Sequence, residues 1–166
     1  LAETYAFFAI LGELLNREAE AALLVGRVQG EIAAVERLVT GLEPVRVYYE
    51  LDPTPYSVGP ASFVGVLLAK AGGKTIVDAS LGDFPQLDPE IVVAADPEAI
   101  ILADAPYGES AATLAARPGW GGLQALASGR VFELSEAQST LAGRAGPRVG
   151  EVVRLFAQLL HPGLFD

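Results

Sequence analysis

From Leu1 to Leu15 the chain is apolar on nearly every side of a helical projection, with Tyr5, Phe7 and Phe8 among its large groups. A helix of that kind is buried or covered by a partner. Asn16 interrupts the pattern and is placed to cap the next helix. From Arg17 onward, Leu24, Val28, Ile32, Val35, Val39 and Leu42 recur at spacings of three and four, opposite Arg27, Gln29, Glu31, Glu36 and Arg37. The spacing predicts a second, amphipathic helix over Arg17–Thr40. Gly26 and Gly30 each weaken it by about 1 kcal/mol unless something packs closely against them. Gly41 stops it and Pro44 prevents a restart.

Beyond Pro44 the period changes. Val45–Leu51, Thr75–Val77, Ala99–Ala103 and Arg130–Leu134 read as strands, rich in β-branched and aromatic residues or continuously apolar. Between them the pattern predicts helices over Ala61–Ala71, Leu87–Ala94 and Glu109–Ala116, with a turn and a short helix around Trp120. Pro147–Leu160 closes the chain as a helix with Pro in its first turn. Strands alternating with helices give an α/β domain, a mostly parallel sheet layered with helices, preceded by a long linker helix. Residues 1–42 stand outside that rhythm as a helical arm, and 43–166 form the α/β lobe.

The stretch Tyr56–Glu90 organises this lobe. It reads as aromatic loop, helix, Gly72-Gly73 turn, short strand and a second aromatic loop leading into a helix. With parallel strands, both loops fall on the carboxyl edge of the sheet, where ligands of open α/β sheets collect.

Apolar residues make up 51% of the 166 and charged ones 19%, which suits a globular domain with a real core. The net charge of −10 opposes binding to a nucleic-acid backbone, and no basic amphipathic segment suits an anionic membrane. With no cysteine, disulfides, thiolate nucleophiles and Cys-type zinc sites are excluded. No apolar run reaches the ~18–20 residues of a membrane span, and no signal peptide is present in this chain. There is no methionine, and the chain begins inside a helical pattern, so we expect a fragment or mature product of something longer.

No dinucleotide fingerprint, Walker loop or nucleophile elbow is present. His161, the one histidine, sits at a helix end and reads as a group meeting the dipole or a carbonyl, so no metal site is expected. Tyr56 and Phe84 read either as loop anchors packed over the sheet or as flat apolar surfaces for a large ligand. Asp88 is the N-cap of its helix, with Pro89 and Glu90 behind it, and carboxylates there suit the macrodipole. Arg144 and Arg148 lie after the last strand and at the start of the last helix, where a guanidinium opposes the dipole. A carboxylate or phosphate partner fits them better than a local role.

Several separated pieces occur in order: L-G-E-L-L-N-R-E-A-E-A, V-Y-Y-E with P-x-Y-x-x-G-P-x-S-F, A-G-G-K, F-P-Q-L-D-P-E, D-P-E-A-I-I-L, R-P-G-W-x-x-L-Q-A-L-x-x-G-R-V-F, and G-P-R-V with L-H-P-G-L-F. In that order they resemble the substrate-binding proteins of ABC importers for vitamin B12, haem and ferric siderophores. The resemblance covers the lobe-linking helix and the C-terminal lobe, and implies an absent N-terminal lobe of ~100 residues or more. It implies that Tyr56, Phe84, Thr140 and Arg144 line the ligand cleft between lobes. The B12 binders have an acidic residue at the position of Thr140. It implies that Glu90 docks on arginines of the membrane permease. It also implies an extracytoplasmic location, no enzymatic reaction and no resident cofactor, the metal arriving inside its chelate. From the residues alone, a stand-alone α/β module that dimerises through Leu1–Leu15 stays open. An enzyme on a flavodoxin-like sheet is disfavoured, since no acid, base and nucleophile cluster is visible.

Overall fold

The computed structural model of the chain describes residues 1–165. Helix α1 (Ala2–Leu15) turns back onto α2 (Glu18–Val39) through Asn16, whose φ of 53° is left-handed. Asn16 therefore ends α1, whereas the sequence pattern suggests a cap for α2. Its backbone N–H closes the last turn of α1, and no side chain caps α2. The two helices cross tightly at Gly12, where an added Cβ would meet the Ala21 methyl at 2.6 Å. Gly26 and Gly30 face open space, so no close packing explains them.

Strand β1 (Val45–Glu50) is followed by α3 (Phe63–Lys70), β2 (Gly73–Thr75), α4 (Pro89–Ala95) and β3 (Ala99–Leu102). Then come α5 (Ala111–Ala115), α6 (Gln124–Ala127), β4 (Val131–Glu133), α7 (Glu136–Ala142) and α8 (Val149–Leu160). The four strands are all parallel, in the order β2-β1-β3-β4.

Alternation along the strands sends side chains to two cores. Val47, Tyr49 and Ile101 pack beneath α2, α3 and α8 with Val28, Ile32, Leu68 and Phe156. Tyr48, Ile100 and Leu102 pack on the other face with Val92, Leu114 and Trp120. Each face carries one edge-on aromatic pair, Tyr49–Phe156 at 6.0 Å and Tyr48–Trp120 at 5.6 Å. Pairs of this geometry contribute about 0.5–1.5 kcal/mol beyond their buried area.

Three elements differ from expectation. Strand β2 begins at Gly73, two residues early, because Gly72 alone makes the turn (φ +79°) and Gly73 registers against Val45. The Leu160 side chain and the Leu68 carbonyl crowd Gly73 where a side chain would sit. Helix α7 lies in a segment without apolar periodicity. A reciprocal cap between Ser135 and Gln138 starts it, and the Ser139 hydroxyl donates to the Ala103 carbonyl (2.7 Å). Helix α8 starts at Val149, so Pro147 precedes it. Arg148 finds its carboxylate three residues on, in Glu151 (2.7 Å), which settles its position against the dipole locally. His161 ends α8, its Nε2 lying 3.1 Å from the Gly72 carbonyl oxygen.

Of the arm, Val28, Ile32, Val35 and Val39 enter the first core, whereas Leu42 is exposed. In α1 only Phe8 among the large apolar groups is buried; Phe7, Ile10, Leu14 and Leu15 face outward. No helix is long and apolar enough to cross a membrane, among the described residues.

Candidate functional site

The loops after β1 and β2 are tied into one unit. Tyr56 bridges Asp52 on one side and Gln86 on the other in short antiparallel contacts. Backbone N–H groups of Ser57, Gly59 and Leu87 donate to the carbonyls of Pro85 (3.0 Å), Asp83 (2.8 Å) and Pro55 (3.0 Å), and the Gln86 amide donates to Thr54 (2.8 Å). Below, buried hydroxyls fix the first loop to the sheet: Ser57 donates to Tyr49 (2.8 Å) and Thr75 to Val58 (2.7 Å). The fit leaves no room for a side chain at two glycines. A Cβ on Gly59 would overlap the Gly82 carbonyl, and one on Gly65 would overlap the Gly59 carbonyl. Thr54 donates twice to the Asp52 carboxylate and holds it below its usual range.

On this rigid base Tyr56 is 40% exposed and Phe84 58%. Neither ring is among the buried residues of the two cores. The two exposed aromatics thus ride on the same pair of interlocked loops.

The connection after β3 rests on buried charge. Glu50 ends β1 fully buried and accepts from the Tyr48 hydroxyl (2.7 Å) and from both terminal guanidinium nitrogens of Arg117 (2.6 and 2.7 Å). Arg117 also donates to Glu109 (2.8 Å) and lies 4.7 Å from the Trp120 ring. Burial, and then the Glu50 charge, push the Tyr48 phenol far above its ordinary value. Arg117 stays charged: burial opposes it, but Glu50 and Glu109 outweigh that.

Asp104, just past β3, is 2% exposed, and neither of its carboxylate oxygens has a hydrogen-bond partner. Burial and the neighbouring Glu50 carboxylate push it up to about 7. Its neutral form can donate its proton to Glu50, which relieves both effects. Sequence alone does not reveal this cluster. Its one signal is the glutamate closing V-Y-Y-E, an acid at the end of an otherwise apolar buried strand.

Thr140 and Arg144, one turn apart at the end of α7, line a groove of about 470 Å³ with Glu136, Ala137, Leu141 and Arg148. Arg144 makes no ion pair among the described residues. Glu90 stands apart from these four residues. It is exposed on the first turn of α4, its backbone N–H held by Asp88 (2.9 Å), beside a depression with Val93, Pro118 and Gly119. Asp88 is thus an N-cap, while the Glu90 carboxylate makes no ion pair among the described residues. A separate depression of about 610 Å³ is formed by α2, α8 and the C-terminal turn, with none of its lining from the edge loops. Among the described residues, no group of three or more His, Cys, Asp or Glu could hold a metal ion.

The sequence profile described as periplasmic binding protein matches residues 2–137. The chain belongs to the periplasmic binding protein family. Cobalamin-binding proteins from two strains of Halobacterium salinarum are 31% identical to it over 97 residues, 56% of this chain and 26% of theirs. Among solved structures, a possible iron-binding protein from Staphylococcus epidermidis superposes with a TM-score of 0.82 at 21% identity, covering 96% of this chain and 62% of that one. The periplasmic heme-binding protein RhuT from Roseiflexus sp. RS-1 superposes with a TM-score of 0.79 at 24% identity, covering 96% and 62%. At these identities the likeness is one of fold. The matched segment spans about a quarter of the cobalamin-binding relatives, and this periplasmic binding protein chain spans under two thirds of those structures.

Proposed function

We propose that this chain is the C-terminal lobe of the substrate-binding component of an ABC importer, carrying a metal chelate such as a corrinoid, haem or ferric siderophore. The observation that carries the reading is the pair of aromatics on interlocked loops at the carboxyl edge of a parallel sheet. Flat apolar groups on a rigid base suit a large, mostly apolar ligand with a few polar groups. Family membership and the names of the relatives, cobalamin-binding and heme-binding, support the same class. In this reading the ligand lies between Tyr56 and Phe84 of this lobe and a second lobe, with Thr140 and Arg144 at one end of the cleft. The protein catalyses nothing and needs no cofactor of its own. It works outside the cytoplasm and presents Glu90 to arginines of the permease.

The test is titration of the intact two-lobed protein with cyanocobalamin, haemin and a ferric siderophore, following ligand absorbance. Saturable binding of one of them is expected; binding of none would refute the reading.

A second reading rests on a separate observation. Phe7, Ile10, Leu14 and Leu15 present a contiguous apolar face on α1, with Leu14 73% exposed. A face of that kind marks an interaction surface. In this reading the isolated chain dimerises through α1, and light scattering that gives a monomer at high concentration would count against it.

A further inference from the structure

We infer that Tyr107 is a third aromatic of the ligand edge, so that a planar chelate lies across the loops after β2, β1 and β3; this rests on the function proposed above. Tyr107 is 89% exposed, more than any other large apolar or aromatic residue described. It stands on a single turn of 3-10 helix, Ala105–Tyr107, directly after β3. The strand order β2-β1-β3-β4 sets the loops side by side as Phe84, Tyr56, Tyr107 and then the α7 groove with Thr140 and Arg144. At ~4.8 Å between neighbouring strands, the three aromatic loops span roughly 10 Å of edge. Without Tyr107, the aromatic pair and the Arg144 groove are separate patches. With it they form one row.

The turn that carries Tyr107 is rigid. Pro106 fixes the backbone before it, and the Tyr107 N–H donates to the Asp104 carbonyl (2.8 Å). The Gly108 N–H returns to Ala105 (3.0 Å), with Gly108 at φ +110°. Directly beneath, the Asp104 side chain is buried beside Glu50, and Ser139 of α7 holds Ala103. A stiff turn with an exposed ring loses little freedom when a flat ligand stacks on it. The ring also contributes little to the fold, since almost none of it is packed.

The experiment compares the two-lobed protein with its Tyr107→Ala and Tyr107→Phe variants, titrated with cyanocobalamin and haemin. For whichever of the two the parent binds, Ala is expected to raise Kd about three- to tenfold, the range of an aromatic stack. Phe should stay within about twofold, and the melting temperature should be unchanged in both. Parent-like affinity in Tyr107→Ala would overturn the inference while leaving the proposed function standing. Equal losses in the Ala and Phe variants would overturn it too, since stacking does not need the hydroxyl. A parent that binds neither planar chelate overturns the inference; the function it rests on falls with it only if a ferric siderophore also fails to bind.

Discussion

Tyr56 and Phe84 ride on loops tied by backbone hydrogen bonds, whereas Tyr107 rides on a turn seated over buried charge. Both halves present aromatics at one sheet edge, and both are stiff, but the stiffness has different sources. In the first half, prolines, glycines and a short ladder between the loops leave no room for alternatives, and the carboxylates used, Asp52 and Asp78, lie at the surface. In the second, Glu50 and Glu109 hold a single half-buried guanidinium, and Asp104 is buried beside Glu50. The first arrangement should respond to volume and be indifferent to pH outside the acid range in which Asp52 and Asp78 take up a proton. The second should do the opposite.

The largest expected effect is on the charged half. Arg117→Ala leaves Glu50 buried without its cation, and removing one partner of a buried pair costs about 3–5 kcal/mol. Urea denaturation should show a loss of that size. A loss under about 1 kcal/mol would mean that water reaches Glu50 and that the cluster is not what holds this half.

The next effect is pH dependence, and its sign is set by Asp104. Its folded value, about 7, lies above its ordinary value of 3.8, so the folded state binds the extra proton. Stability is therefore lost as pH rises from about 4 to 7, and the loss is complete above 7. The expected size is on the order of 2–4 kcal/mol. Asp104→Asn keeps a donor toward Glu50 without a charge, so it should stabilise the protein at pH 8 and leave it unchanged near pH 4. Parallel melting curves for the two proteins between pH 4 and 8.5 would contradict this.

The backbone-built half is tested by volume. Gly59→Ala forces a methyl against the Gly82 carbonyl. Overpacking of this kind costs about 1–3 kcal/mol, and hydrogen exchange at Ser57, Gly59 and Leu87 should accelerate. Unchanged exchange at those amides would show that the loops adapt, and the contrast between the halves would fail.

The two halves also differ in how far they can be read from the chain. The aromatic loops announce themselves through Pro53, Pro55, Gly59 and Pro60 around Tyr56, and through Phe84-Pro85 before a clear N-cap at Asp88. Strands β1, β3 and β4 and helices α3, α4 and α8 are visible as apolar runs and 3.6-residue periods. The charged half is not visible, because its key pair joins residues 67 positions apart. No local pattern marks Arg117 as the partner of Glu50. Helix α7 escapes periodicity because it is short and mostly polar, held by its cap and one hydroxyl. Strand β2 is hard to place because a glycine pair looks like a turn, although Gly73 is needed in the sheet where Leu160 and Leu68 crowd it. Tyr107 gives no local signal because P-Y-G reads as an ordinary turn, and only the strand order sets it beside Tyr56.

Whether the carboxyl edge is a ligand surface is tested most directly by one comparison. Chelate titration of the two-lobed protein, parent against Phe84→Ala, separates binding from folding because the Phe84 ring is exposed and surface changes of this kind stay within about 0.5 kcal/mol of stability. If the edge binds the chelate, the parent shows a saturable absorbance change, the variant binds at least severalfold more weakly, and both melt at the same temperature. Equal affinity in the two proteins would contradict a ligand surface there.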